Sequence, residues 1–595
     1  MVALSLSESE PRTAQPNIAL LAMAAWLAIV AQLLWLSWSS TSVTLGDTDD
    51  AMRLLEVREF LAGRGWFDLH EARLQPPAGY DTHWSRLIDA GLAALFLLFH
   101  AFTDTAMAER LMRVAWPLLW LLPVMAGTLA IARRLGGSMA GVVCLLLLLF
   151  GLPAFMQFKP GRIDHHGVQI TLAVITLACA IWSDRVRWAA AAAGISSGLA
   201  LGIGFESIAL IVLAAALMAV RYARDAAHAA ALARYGAALA ASTAAVFAIS
   251  VAPSHWRLSA CDAMAINTAA PVALGGIALA IAGRWGRWLS SMTRWAAIVG
   301  VGALTAVCFV LIEPRCVKGP LAMADPAVLP IWLAHILEAR SYFATAREDV
   351  VFGIGIAAWP VAAIMFAIVQ ARSAAARRDD GYWTIVGAML IAIGMTLVAV
   401  RATPYMLWLG MPIIAAGLPR LFNVLRVKTL PARALVAIPF TPLVLSSLAF
   451  IVTVALSLPV TSKPGLDPDA ERCFENKSYA AFSQLPTGLI VSDVDFGAHL
   501  LALTPHSVLG APYHRLSYGI IDSHRAFASR PDDAHALLRE LRADYLVTCG
   551  PAQPKTLSEA QMAASLFGQL KAGHVPDWLV PVPGMEPFEV YRIKR

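Results

Sequence analysis

Leu45–Arg58 reads LGDTDDAMRLLEVR and follows the first long apolar segment, Asn17–Trp38. It gathers Asp47, Asp49 and Asp50 in a chain whose residues are 14% charged and 58% hydrophobic. Carboxylates so placed have two readings. Asp is a good N-cap and Ala51–Leu61 has a helical pattern, so a solvated capping loop accounts for them. Hard divalent cations select carboxylate oxygens, so a metal site at the membrane surface accounts for them too. A second stretch bears on the choice: Gly161-Arg162-Ile163-Asp164-His165-His166 also lies just outside an apolar segment.

The 595 residues have a mean hydropathy of +0.64, the balance of a polytopic membrane protein. Met1–Pro16 is polar and does not read as a cleaved signal, while Asn17–Trp38 is long enough to span and stay. The formal charge of +6 does not point to nucleic acid, because the basic residues sit mostly in short loops where they report topology. Seven cysteines without CxxC pairs imply no zinc site.

Ala90–Phe102 is too short to span comfortably and is expected at the interface or re-entrant. Leu111–Ala132 and Met139–Phe155 span on either side of Arg133–Arg134. Were Ala90–Phe102 to span, the two acidic loops would lie on opposite sides and Arg133–Arg134 would face outward, against the positive-inside rule. Basic loops at 184–187, 221–234, 284–294, 372–380 and 420–433 then alternate with outer segments Ser254–Asn267, Glu313–Asp349 and Arg401–Thr403. The expectation is a helical membrane domain of about thirteen spans over residues 1–457. An external α/β domain follows over 458–595, with Leu489–Val494 and Tyr545–Cys549 as strands and Ala534–Leu541 as a helix. Cys473 and Cys549 fall on the oxidising side, as a disulfide or as two buried thiols.

Asp49, Asp164 and His166 share the external side in this register and form a plausible three-ligand set for a divalent metal, Mg²⁺ or Mn²⁺. Alternation in an extended Asp-His-His puts His165 opposite Asp164 and His166, so His165 reads as a packing residue. Interfacial hydrogen bonding is the plainer account of the two histidines.

With these residues in place, the sequence resembles the catalytic subunit of oligosaccharyltransferases, within the GT-C class of membrane glycosyltransferases. Those proteins have thirteen spans, an external soluble domain, a first-loop Asp at the root of a helix and a second-loop Asp-x-Asp motif. The resemblance implies that Asp49, Asp164 and His166 hold the metal, with Asp49 also able to act as a base. It implies that Arg401, in Val400-Arg401-Ala402-Thr403-Pro404-Tyr405, meets the phosphate of a lipid-linked donor, a role that suits a planar guanidinium. Snorkelling at a helix end is the ordinary alternative for it. By position in the long outer loop, Glu338 stands for the family's acidic motif, with Glu313 and Glu348 as rivals.

The acceptor side departs from the family. Ser492-Asp493-Val494-Asp495-Phe496-Gly497 stands where Trp-Trp-Asp-Tyr-Gly would hold the sequon hydroxyl, and the tryptophan pair is missing. Asp47, Asp50, His165, Asp495, Tyr513, His514 and Arg515 are the remaining candidates for acceptor or sugar contacts. The implied function is transfer of a sugar from a polyprenyl-phosphate or -diphosphate carrier to a glycolipid, polysaccharide or protein, on the outer face of a bacterial inner membrane. The alternatives are a true protein N-oligosaccharyltransferase and a flippase for lipid-linked sugars. Transporters put charges near the midplane, whereas the spans here are nearly free of Asp and Glu, with Glu206 the main exception and near a loop.

Overall fold

The computed structural model describes residues 17–456, 468–550, 554 and 556–594. The polar start Met1–Pro16 and the expected domain boundary at 457/458 lie outside the described residues. The first span, Ile18–Ser37, starts at Asn17, whose side chain accepts from the Ala19 and Leu20 amides. Among the described residues, eight helices are long and apolar enough to cross a membrane, and a pair bent by 52°, Leu430–Phe440 with Pro442–Thr453, makes up to nine. This is a multi-pass membrane protein. The helices His166–Trp182, Ala189–Ile203 and Ile208–Arg224 are shorter, and with the second arm of Thr105–Leu149 they are where nine and the expected thirteen differ.

Thr105–Leu149 is one helical run broken at Gly137 (φ 72°, ψ −163°), a left-handed conformation that a side chain would resist. The break reverses the chain just after Arg133–Arg134. At that end of the bundle Arg134 pairs with Asp184 and Asp379 at 3.1 and 2.8 Å, and Arg221 with Asp380 at 2.7 Å, so the basic loops converge there. Elsewhere small residues let spans approach closely. A Cβ on Gly236 would lie 2.5 Å from the Gly276 carbonyl oxygen, which fixes glycine where Ala229–Ser250 meets Ile266–Trp285.

At the opposite end, Arg86–His100 is a 15-residue amphipathic helix that buries Ile88, Leu92 and Phe96 while Leu97 and Leu98 stay exposed. The tail folds on a mixed five-stranded sheet in the order Ser507–Val508, Leu489–Ser492, Tyr545–Cys549, Phe588–Ile593, Leu579–Val582. The first three strands are parallel, and the last two add antiparallel. Cys473 and Cys549 are bonded, as are Cys261 and Cys316, a pair the sequence pattern did not single out.

The tail sits on the segment that follows the first span. Arg58 donates to the Ala502 carbonyl at 2.7 Å, Arg73 to Leu501 and Thr504 at 3.1 Å, and the Gln75 amide to Val508 at 2.9 Å. One buried apolar cluster runs through both, including Met52, Leu55, Trp84, Phe496 and Leu500.

Candidate functional site

Asp47 caps the helix Thr48–Leu61. Its Oδ1 accepts from the Asp49 and Asp50 amides at 3.0 and 3.1 Å, and Asp50 Oδ2 accepts from the Asp47 amide at 3.2 Å, a reciprocal capping box. Asp50 is wholly buried and joins the two acidic loops. Its Oδ1 accepts from the amides of Ile163 and Asp164 at 2.7 and 3.2 Å. Both acidic stretches therefore lie at one end of the bundle.

Arg162 bonds Asp47, Asp50 and Asp164 at once. The ligand-type oxygens of those three carboxylates lie within 4.8 Å of one another. Sequence reasoning gave Arg162 no role; its place inside the second acidic stretch, two residues before Asp164, was the available signal. Burial works to raise the Asp164 carboxyl, but the Arg162 guanidinium outweighs it and holds the group below its ordinary value. Asp164 Oδ1 also accepts from the His166 amide at 3.0 Å.

The Asp49 side chain is left outside the capping network. Burial pushes its carboxyl up to about 7, His166 acts against that, and Asp164 and Glu338 add to it. Asp164, His166 and Glu338 are thus within electrostatic reach of Asp49. Glu313 is held by Arg315 at 2.8 Å and Glu348 is bonded to Arg340, which sets those two apart from Glu338.

The loop is not extended at His165. That residue has helical backbone angles (φ −91°, ψ −13°) and His166 opens the helix His166–Trp182. The alternation argument for His165 therefore fails: the two imidazoles are neighbours, 4.4 Å between ring centres. Burial pushes His165 down to about 3, helped by His166, so its ring is neutral, and its Nδ1 is buried without a hydrogen-bond partner among the described residues.

Glu206, from the turn before Ile208–Arg224, faces His166 Nδ1 at 3.1 Å. Tyr405 donates to the same carboxylate at 3.4 Å, and Arg401 Nε approaches it at 3.7 Å. Arg401 remains 45% exposed, with its other donors available at the bundle end. Burial works to raise Glu206, but His166 and Arg401 hold it well below the usual carboxylate range. His165, His166 and Glu206 also bring ligand-type atoms within 4.8 Å of one another. Carboxylate oxygens with imidazole nitrogen form a donor set suited to a divalent metal, and the His165 Nδ1, unpartnered among the described residues, is consistent with one. The ligand atoms that come together are those of Asp47, Asp50 and Asp164 and those of His165, His166 and Glu206, and the expected set Asp49, Asp164 and His166 takes members from both without itself forming a group.

Tyr513, His514 and Arg515 are engaged within the chain. Tyr513 donates to the Thr48 carbonyl at 2.9 Å and stacks on Tyr80. Arg515 bonds both oxygens of Asp262 at 2.7 and 2.8 Å, and His514 Nε2 lies 2.7 Å from Asp262 Oδ2. Asp262 follows Cys261 in the disulfide to Cys316, so this contact fastens the tail to an outer loop. Asp495 lies elsewhere, in a crevice of the tail.

No family model and no curated protein sequence matches the chain. Solved structures do. The Archaeoglobus fulgidus oligosaccharyltransferase AglB with an inhibitory peptide and a dolichol-phosphate aligns over 89% of this chain and 69% of its own, at 14% identity and a TM-score of 0.64. The same organism's enzyme with Zn and sulfate covers 89% and 67% at 15% identity and 0.59. Its form tethered to an acceptor peptide containing the NVT sequon covers 98% and 75% at 14% identity and 0.63. The fold of this chain is therefore that of the GT-C membrane glycosyltransferases.

Proposed function

We propose that the chain is a glycosyltransferase of the external face of a bacterial inner membrane, drawing a sugar from a polyprenyl-phosphate or -diphosphate carrier. The observation that carries this reading is the convergence of Asp49, Asp164, His166 and the Glu206–Arg401 pair at one end of a GT-C bundle, beneath the tail domain. In the reaction the bond from the sugar's anomeric carbon to the carrier phosphate breaks and a bond to an acceptor oxygen forms. The carrier phosphate leaves with the electron pair, and the acceptor proton passes to a base. Asp49 is that base, and Glu338 flanks the same space. Arg401, half exposed and only loosely held by Glu206, meets the carrier phosphate. Asp49, Asp164 and His166 would hold Mg²⁺ or Mn²⁺, which when bound offsets negative charge on the leaving phosphate. A solved neighbour holds Zn and sulfate, and another holds a dolichol-phosphate; both favour this assignment.

The carboxylates at the bundle end, rather than at mid-span, argue for chemistry over transport. The missing tryptophan pair at Ser492–Gly497 argues against a peptide sequon as acceptor, even though one neighbour was solved with such a peptide. A site that reads one hydroxyl discriminates by about 10⁴ or more only when all its groups are present. The test is a purified-enzyme assay with a labelled polyprenyl-linked donor, in which turnover is expected and transfer to an Asn-x-Thr peptide is not. Donor translocation without turnover would establish the flippase, and efficient transfer to the peptide, lost on Asn→Gln, would establish an oligosaccharyltransferase proper.

A further inference from the structure

A cavity of about 350 Å³ lies between the outer segment Ile331–Ile336 and the tail domain. Ser492 and Asp493 at the end of one parallel strand, and Thr548 and Cys549 at the end of its neighbour, form part of its lining. Crevices beyond the carboxyl ends of parallel strands are where α/β sheets bind ligands. The volume falls within the range of small-molecule sites.

Two atoms mark it as more than leftover space. Trp332 and Ser523 both line the cavity and are 8% and 2% exposed. Trp332 Nε1 and Ser523 Oγ are buried without a hydrogen-bond partner among the described residues. Native proteins leave few such groups, because each costs what its lost hydration was worth. A ligand offering oxygen atoms satisfies both. The rest of the lining asks for the same ligand. Asp493 and Asp495 bring carboxylates, which only accept hydrogen bonds, and His335 and His524 bring imidazoles. Trp332, Phe527 and Phe567 bring aromatic faces. Acceptors, donors and apolar rings around one small space complement a ring that carries hydroxyls on its rim and C–H groups on its faces. A peptide finds less here: the edge strands of the sheet, Ser507–Val508 and Leu579–Val582, do not line the cavity, so no strand edge is offered for pairing.

The cavity also shares a segment of chain with the carboxylate cluster. His335 and Ile336 line it, and Glu338, two residues on, acts electrostatically on Asp49 and His166. We propose that this cavity seats a sugar ring of the acceptor, so that the substrate receiving the transferred sugar is itself a carbohydrate. This rests on the glycosyltransferase reading above and names its acceptor class.

The experiment titrates the purified full-length protein, without donor, with methyl glycosides of the common hexoses and pentoses and with an Asn-x-Thr peptide, followed by saturation-transfer NMR. At least one glycoside is expected to saturate, and Trp332→Phe and Ser523→Ala are each expected to weaken it roughly three- to tenfold, the worth of one hydrogen bond. Both variants should unfold at or above the wild-type midpoint, since each removes a buried polar group that has no partner among the described residues. Failure of every glycoside to saturate overturns the proposal. So does affinity unchanged in both variants, or saturation by the peptide alone. With no donor present, a failure of donor turnover leaves this measurement standing, so the two readings fail separately.

Discussion

Two clusters at the tail end of the molecule set arginine against carboxylate, and they are built to opposite specifications. At Asp262 a single carboxylate meets Arg515 through two bonds and His514 through a third, with the His83 ring packed beside His514. At the roots of the acidic loops one Arg162 faces Asp47, Asp50 and Asp164, with Asp49, Glu206 and Glu338 close by and Arg401 only loosely attached. Balanced pairs can hold elements together. An excess of acid around a buried pair such as Asp50 and Asp164 is weak evidence for stability and persists where it has other work, which is why perturbed carboxyls gather at functional sites.

That contrast breaks most sharply at the metal-binding candidates. Asp49→Ala, Asp164→Ala and His166→Ala are each expected to lower donor turnover by about 10²–10³ or more and to weaken Mg²⁺ or Mn²⁺ binding, read by titration of the purified protein. Arg401→Ala is expected to raise KM for the lipid-linked donor by roughly ten- to a hundredfold, the worth of a charged hydrogen bond, with a smaller fall in kcat. His165→Ala should cost less than His166→Ala, near the lower end of about 10–100-fold, and equal losses would put His165 among the ligands.

The smallest effect belongs to the balanced cluster and appears as stability. Asp262→Asn is expected to lower unfolding stability by about 1–3 kcal/mol near neutral pH, measured by thermal unfolding in detergent. Burial works to raise the Asp262 carboxyl, but hydrogen bonds from His514 and Arg515 outweigh it and hold it below the ordinary range. A group depressed in the folded state stabilises fully above its unfolded value, about 3.9, and loses that contribution as pH falls below it. The gap between wild type and Asp262→Asn should therefore be constant from neutral pH to about 5 and shrink below about 4. A gap that widened on acidification would contradict the balanced-pair account.

How much of this was legible beforehand follows from the range of each interaction. The membrane class, the break after Arg133–Arg134, the short helix near Ala90–Phe102 and the tail strands at 489 and 545 are set by composition and local periodicity, and they read directly from the chain. That an Asp of this stretch caps the helix was legible for the same reason, since a cap and its amides are at most three residues apart, although the helix begins at Thr48, before the expected Ala51, and the cap is Asp47. The charge bias of the loops also put the two acidic stretches at one end.

What only the tertiary structure decided is which carboxylate answers to which partner. Asp50 reaches Ile163 and Asp164 across more than a hundred residues, Glu206 reaches His166 and Arg401, and Asp262 captures the tail that had looked like a sugar-binding surface. The helical turn at His165 overrode the alternation expected of an extended loop, because His166 begins a span. Hydropathy records how deep a residue sits in a membrane, and it is silent on the angle at which a loop returns. That angle pairs one charge with another, and it follows from how the spans pack.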